Sequence, residues 1–94
     1  MNRYGIHYKR PEVNAKPNKG NIGLTHCLLG FISGESLGDA FYQMQGEIWS
    51  PNGEARNMIR ALGLNHTSMM IGDVISNPDT GEMWRVAWEG FDEL

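Results

Sequence analysis

Cysteine is almost missing from this chain. Cys27 is the single thiol in 94 residues, so no intramolecular disulfide can form and a reducing compartment is expected. No apolar run approaches the ~20 residues that a membrane-crossing helix requires. The opening MNRYGIHYKR has no apolar core of the signal-peptide kind. A soluble, cytoplasmic protein is the expectation. Positive charge is scarce too: eight Lys and Arg stand against eleven Asp and Glu, a net charge of −3. That balance gives no support to sequence-blind binding of phosphate backbones, which needs a basic face, and it is too small for a dense acidic mimic of DNA. The twelve glycines are scattered, and none forms a Gly-rich strand-to-helix cradle for phosphate. Three histidines and one cysteine show no zinc-ligand spacing. Neither a metal nor a cofactor is expected.

What is present points to a globule. Apolar residues make up 40% of the chain and charged ones 20%, which argues for one folded α+β domain over residues 1–94 and against disorder. Arg3 to Lys9 alternates Tyr4, Ile6 and Tyr8 with polar neighbours, the pattern of a half-buried strand. Pro11 to Gly23 is polar and broken by proline and glycine, and reads as a long loop, open to solvent or to a partner. Leu24 to Ile32 reads as a second strand, apolar on both sides and so central in the sheet, with Gly30 marking a bulge. Ser36 caps a short helix whose stripe is Leu37, Ala40, Phe41 and Met44. Ser50 and Pro51 open a second helix with Ala55, Met58, Ile59 and Leu62 inward, ended by Gly63 and Leu64 in a Schellman motif. Met69 to Ile75 and Met83 to Glu89 are two further strands, joined by the Asn77–Gly81 turn. The expected order is ββααββ: four strands, antiparallel or mixed, with two short helices on one face.

Three polar groups invite a catalytic reading. His66, Ser68 and Asp73 have the residue types of a hydrolytic triad, but Ser68 sits on no Gly-x-Ser-x-Gly elbow and nothing marks an oxyanion hole. Bracing of the helix-to-strand junction is the favoured role, and no catalytic residue is assigned. His26 and Cys27 are neighbours on a strand, so their side chains diverge. The surplus of large aromatics is a stronger signal. Trp49, Trp84 and Trp88, with the tyrosines and phenylalanines, exceed what so small a core readily hides, and Trp and Tyr beside Arg make contact surfaces. Trp49, next to a Pro-Asn-Gly turn, is the foremost candidate for exposure. The candidate partner-binding residues are Trp49, Asn52, Arg56, Arg60, Lys16, Lys19 and Trp88.

Two segments carry a resemblance. Gln43 to Arg56 (QMQGEIWSPNGEAR) is one. Gly63 to Ile75 (GLNHTSMMIGDVI), followed by Trp84-Arg85-Val86 and Gly90-Phe91, is the other. Together they resemble small proteins encoded by bacteriophages and conjugative elements, in which a His-Thr-Ser-Met-Ser-Val-Gly-Asp-Val segment precedes a final hairpin. Met70 and Ile71 depart from the Ser-Val pair. The resemblance implies a mobile-element origin and a bacterial cytoplasm, and gives no catalytic residue. The expected function is therefore a non-enzymatic accessory protein that binds and inhibits a host bacterial protein or ribonucleoprotein complex, of the anti-CRISPR or anti-restriction type. A small nucleic-acid-binding or regulatory module is the alternative, favoured by Arg3, Lys9, Arg10, Lys16 and Lys19 in the first quarter. A small enzyme using His66 or His7 as base is the third reading.

Overall fold

The computed structural model describes residues 1–94. Its centre is a five-stranded antiparallel sheet in the order β2-β1-β3-β4-β5. The strands are β1 (Asn2–Lys9), β2 (His26–Gly34), β3 (Val74–Asn77), β4 (Glu82–Val86) and β5 (Phe91–Glu93). Four short helices join them: α1 (Ile22–Thr25), α2 (Leu37–Gln43), α3 (Gly46–Trp49) and α4 (Arg56–Ala61). No helix is long and apolar enough to cross a membrane.

The alternation seen in β1 decides the layering. Residues paired across a ladder share a face, so Tyr4, Ile6 and Tyr8 line up with Ile32, Gly30 and Cys27 on one side and with Ile75 on the other. This face is buried under Ala40 and Met44 of the α2 segment, Ala55 and Ile59 of the α4 segment, and Leu64 and Met69. The opposite face carries Arg3, Phe31, His7, Leu28, Arg85 and Asp92. The α+β class is as expected, with helices segregated to one side of an antiparallel sheet.

Several elements differ from expectation, each for a local reason. A fifth strand is present because Ala87 N–H donates to Gly90 C=O (3.0 Å), closing a tight turn that sets Phe91 against Val86. The fourth strand therefore stops at Val86 and not at Glu89. The third strand begins at Val74, not Met69, because residues 70–73 form a turn closed by Asp73 N–H to Met70 C=O (3.0 Å). Leu24 and Thr25 belong to α1, and β2 is an edge strand rather than a central one. The chain crosses the sheet through α2 to α4 and returns as β3 on the other side of β1, so the first strand is the one enclosed on both flanks. Leu29 is the extra residue of a bulge, since Ile6 faces Gly30 while His7 faces Leu28.

The Ser36 cap and the Gly63–Leu64 stop are as expected, whereas the start of the second helix is not. Ser36 Oγ accepts from Asp39 N–H (3.1 Å), as a cap should, although the Asp39 carboxylate accepts from Glu35 and not from Ser36. Gly63 N–H donates to Arg60 C=O and Leu64 N–H to Ile59 C=O, both at 3.0 Å, which is the expected Schellman pair. The start of that helix slips, however. Ser50 Oγ accepts from Ala55 N–H (2.8 Å), five residues on, and Gly53 at φ +80° interrupts helical backbone, so α4 begins only at Arg56. Gly46 opens an additional turn of helix, held by its N–H donating to Ser68 Oγ (2.7 Å).

Candidate partner-binding surface

The polar segment before β3 is a bracing knot. Asp73 is fully buried, and its carboxylate accepts from three donors: Lys9 N–H (2.8 Å), Met70 N–H (2.9 Å) and His66 Nε2 (2.9 Å). One side chain thus ties β1, the 70–73 turn and the His66 segment together. His66 stacks on Tyr8, with ring centroids 4.6 Å apart. Tyr8 Oη donates to Thr67 C=O (2.6 Å), and Trp49 Nε1 donates to the same carbonyl (3.1 Å). Burial pushes the Tyr8 phenol pKa up, and the nearby Asp73 carboxylate adds to that. Ser68 faces Gly46, while the two His66 nitrogens face Asp73 and Asn65. The three triad candidates therefore do not line up as nucleophile, base and acid; each holds a piece of backbone or a neighbouring side chain.

The other two histidines also join elements. His26 Nε2 donates to Gly72 C=O (2.7 Å), and the Thr25 hydroxyl donates to Nδ1 (2.8 Å). Burial lowers the His26 pKa, opposed by the Gly72 bond. His7 Nε2 meets Ser76 Oγ at 2.8 Å, and burial, with the repulsion of His26, lowers its pKa to about 4. No group of three or more His, Cys, Asp or Glu side chains converges in a metal-holding arrangement.

Beside the knot the surface changes character. The 70–73 turn holds Met70 and Ile71 outward, each about half exposed. Gly72 N–H donates to Val86 C=O (2.9 Å), which brings this turn against the end of β4. Trp88 and Glu89 are the corner residues of the Ala87–Gly90 turn, and a corner position has no neighbouring strand to cover it. Trp88 is accordingly 86% exposed. Ile71, Arg85, Val86, Trp88, Glu89 and Asp92 line a groove of about 500 Å³. Arg85 and Asp92, both in its lining, are paired (Nη2 to Oδ2, 3.3 Å).

The seven candidate contact residues fall in different places. Trp88 stands in this groove. Lys16 lies nearby, lining a pocket with Lys9, His26, Gly72 and Arg85. Lys19 is exposed in the long loop. Arg56 and Arg60 flank a separate hollow with Ile59, Leu64 and Thr67. Asn52 is exposed but turned onto Glu54 through its backbone and side-chain nitrogens (2.9 and 3.1 Å). Trp49 is the clear correction: it packs half-buried against the core and spends its N–H on Thr67. The basic residues of the first quarter do not form one stripe. Arg3 stacks over Phe31 at 4.4 Å and stands six residues along β1 from Lys9, about 20 Å at strand rise. Lys9 Nζ itself donates to the carbonyls of Arg10 and Val13 (3.1 and 2.7 Å).

Sequence reasoning missed Met70 and Ile71 as adjacent surface groups, because a strand reading of Met69 to Ile75 turns neighbouring residues to opposite faces. The Gly72-Asp73 pair was the available signal, since Asp closing a turn on a preceding amide is a local motif. Compared with protein-family models, with curated proteins and with solved structures, the chain matches none.

Proposed function

We propose that this chain is a protein-binding module whose contact surface is the groove between the 70–73 turn and the β4–β5 hairpin. One observation carries the reading: Trp88 is 86% exposed on a tight turn, and outward Ile71 lines the same groove. An indole in water forgoes the burial of a large apolar area, and Trp with a neighbouring Arg is the composition of interface hot spots. The groove offers the partner an apolar wall with an Arg85–Asp92 pair in its lining. The Asp73 knot supplies what such a surface needs, a rigid support under the contact residues.

The finer reading is an accessory protein of a mobile element that occupies a host bacterial protein or ribonucleoprotein complex and blocks it, the target being a defence system. It rests on the resemblance of the Gly63–Ile75 and Gln43–Arg56 segments to phage and conjugative-element proteins. The test is capture of a stoichiometric bacterial complex by the tagged protein, repeated with Trp88→Ala and with Trp49→Phe. Trp88→Ala is expected to weaken capture by a factor of about thirty or more, the usual weight of a Trp anchor, while Trp49→Phe leaves it within a few-fold. Equal capture by the wild type and Trp88→Ala would remove this surface from consideration.

A further inference from the structure

We propose that β2 is an association edge, and that its occupant is β2 of a second copy of this chain, paired antiparallel about a two-fold axis. The surface is separate from the Trp88 groove and does not depend on that reading.

The first observation is which way the backbone points. Arg10 N–H donates to Thr25 C=O, while Lys9 N–H turns the other way to Asp73. Strand amides alternate, so Tyr8, Ile6 and Tyr4 direct theirs to β2, and their partners Cys27, Gly30 and Ile32 answer inward. Leu28, Phe31 and Ser33 therefore turn their backbone groups away from β1, toward a side on which no strand lies. The bond from Gln43 Nε2 to Ser33 C=O (2.8 Å) confirms that this carbonyl faces out. Helix α2 closes the Ser33 end, and the Leu28–Phe31 stretch is left as the open edge.

The second observation is chemical. Natural proteins blunt a long edge with lysine, proline or inward charge. β2 has nine residues, HCLLGFISG, and none of them is Lys, Arg, Asp, Glu or Pro. Leu28 and Phe31 are 48% and 46% exposed, and Leu24 on α1 is 75% exposed. On the other face a hollow of about 300 Å³ between Leu29, Ile32, Met44, Trp49 and Met58 adjoins the same edge. The strand thus has apolar surface on both sides of its free backbone. A two-fold axis brings identical groups together, so an uncharged edge is the kind that can meet itself without like-charge repulsion.

The third observation selects the occupant. Two residues, Leu29 and Gly30, stand between the outward Leu28 and Phe31, because of the bulge. A regular strand has one residue between successive paired positions and loses register there. A second β2 carries the same extra residue, and an axis beside Leu29–Gly30 sets Leu28 of each copy opposite Phe31 of the other. Both side chains lie on the same sheet face, since they pair with His7 and Gly5.

Sedimentation across a wide concentration range tests this directly. A reversible monomer–dimer equilibrium is expected, with the Leu28→Lys and Phe31→Lys variants raising the dissociation constant by about a hundredfold, because either substitution sets an ammonium against the apolar Phe31 or Leu28 of the other copy with no carboxylate to pair it. Both positions are exposed, and unchanged melting temperatures would establish that the variants fold. Amide hydrogen exchange supplies an independent readout: protection at Leu28 and Phe31 should rise with protein concentration. A single monomeric species throughout, with those amides exchanging freely, overturns the proposal. So does a dimer that both lysine variants leave intact, or protection of the edge that appears only when an unrelated extended peptide is added.

Discussion

At the scale of single residues, Asp73 has the most consequence. Its carboxylate accepts from two amides and an imidazole inside a site closed to water. Asp73→Asn keeps the shape but turns one acceptor into a donor facing a donor. The expected cost is about 3 kcal/mol in chemical denaturation, since bonds to a charged acceptor are worth more than neutral ones and a buried group is left unmatched. A loss below about 1 kcal/mol would mean that the knot is not a brace. His7 carries a prediction of the opposite electrostatic kind. Its folded pKa lies near 4 against 6.5 for the free side chain, so acid protonates the unfolded chain first. The stability held by neutral His7 is complete above pH 6.5 and drains away as pH falls toward 4. Equilibrium unfolding should therefore show stability falling between pH 6.5 and 5, with the buried His26 adding in the same sense. His7→Gln, which keeps a partner for Ser76, should flatten that slope.

At the scale of elements, local chemistry was legible where one residue type does one job. Ser36 capping α2, the Gly63–Leu64 stop and the Asn77–Gly81 turn were all readable from composition and spacing. Two of the boundaries that slipped depend on bonds to distant residues. Gly46 opens a helix because Ser68 accepts its amide, and β3 starts late because the Asp73 carboxylate is drawn to the Lys9 amide. No window of a dozen residues contains both ends of such a bond. Gly63 offers a clean measurement of the legible kind. It sits at φ +75° with open space where a Cβ would go, so Gly63→Ala should cost about 1–2 kcal/mol from backbone conformation alone. A cost near zero would show that the residue leaves the left-handed region without loss.

At the scale of the whole molecule, the sheet order and the exposure of the aromatics were the parts that the sequence left open. An apolar strand reads the same whether it is central or on an edge, and β2 proved to be the edge. Trp49 and Trp88 likewise read alike as letters, but one ends α3 half-buried against the core and the other is at a turn corner. Their difference is measurable. Trp88→Phe should remove most of the acrylamide-quenchable, red-shifted tryptophan emission and leave the melting temperature within about 3 °C, as for a surface change that costs under 0.5 kcal/mol. Strong residual quenching in that variant would place another indole in water.

The position of β1 has a bearing on how the molecule comes into being. β1 leaves the ribosome before either of its neighbours, and the second of these, Val74 to Asn77, follows it by about 65 residues. Until that segment emerges, Gly5, Ile6 and His7 keep a bare flank, and the Lys9 amide has no carboxylate to meet. A nascent chain halted before Val74 is therefore an open half-sheet, and β1 gains its second flank only when Val74 to Asn77 joins it.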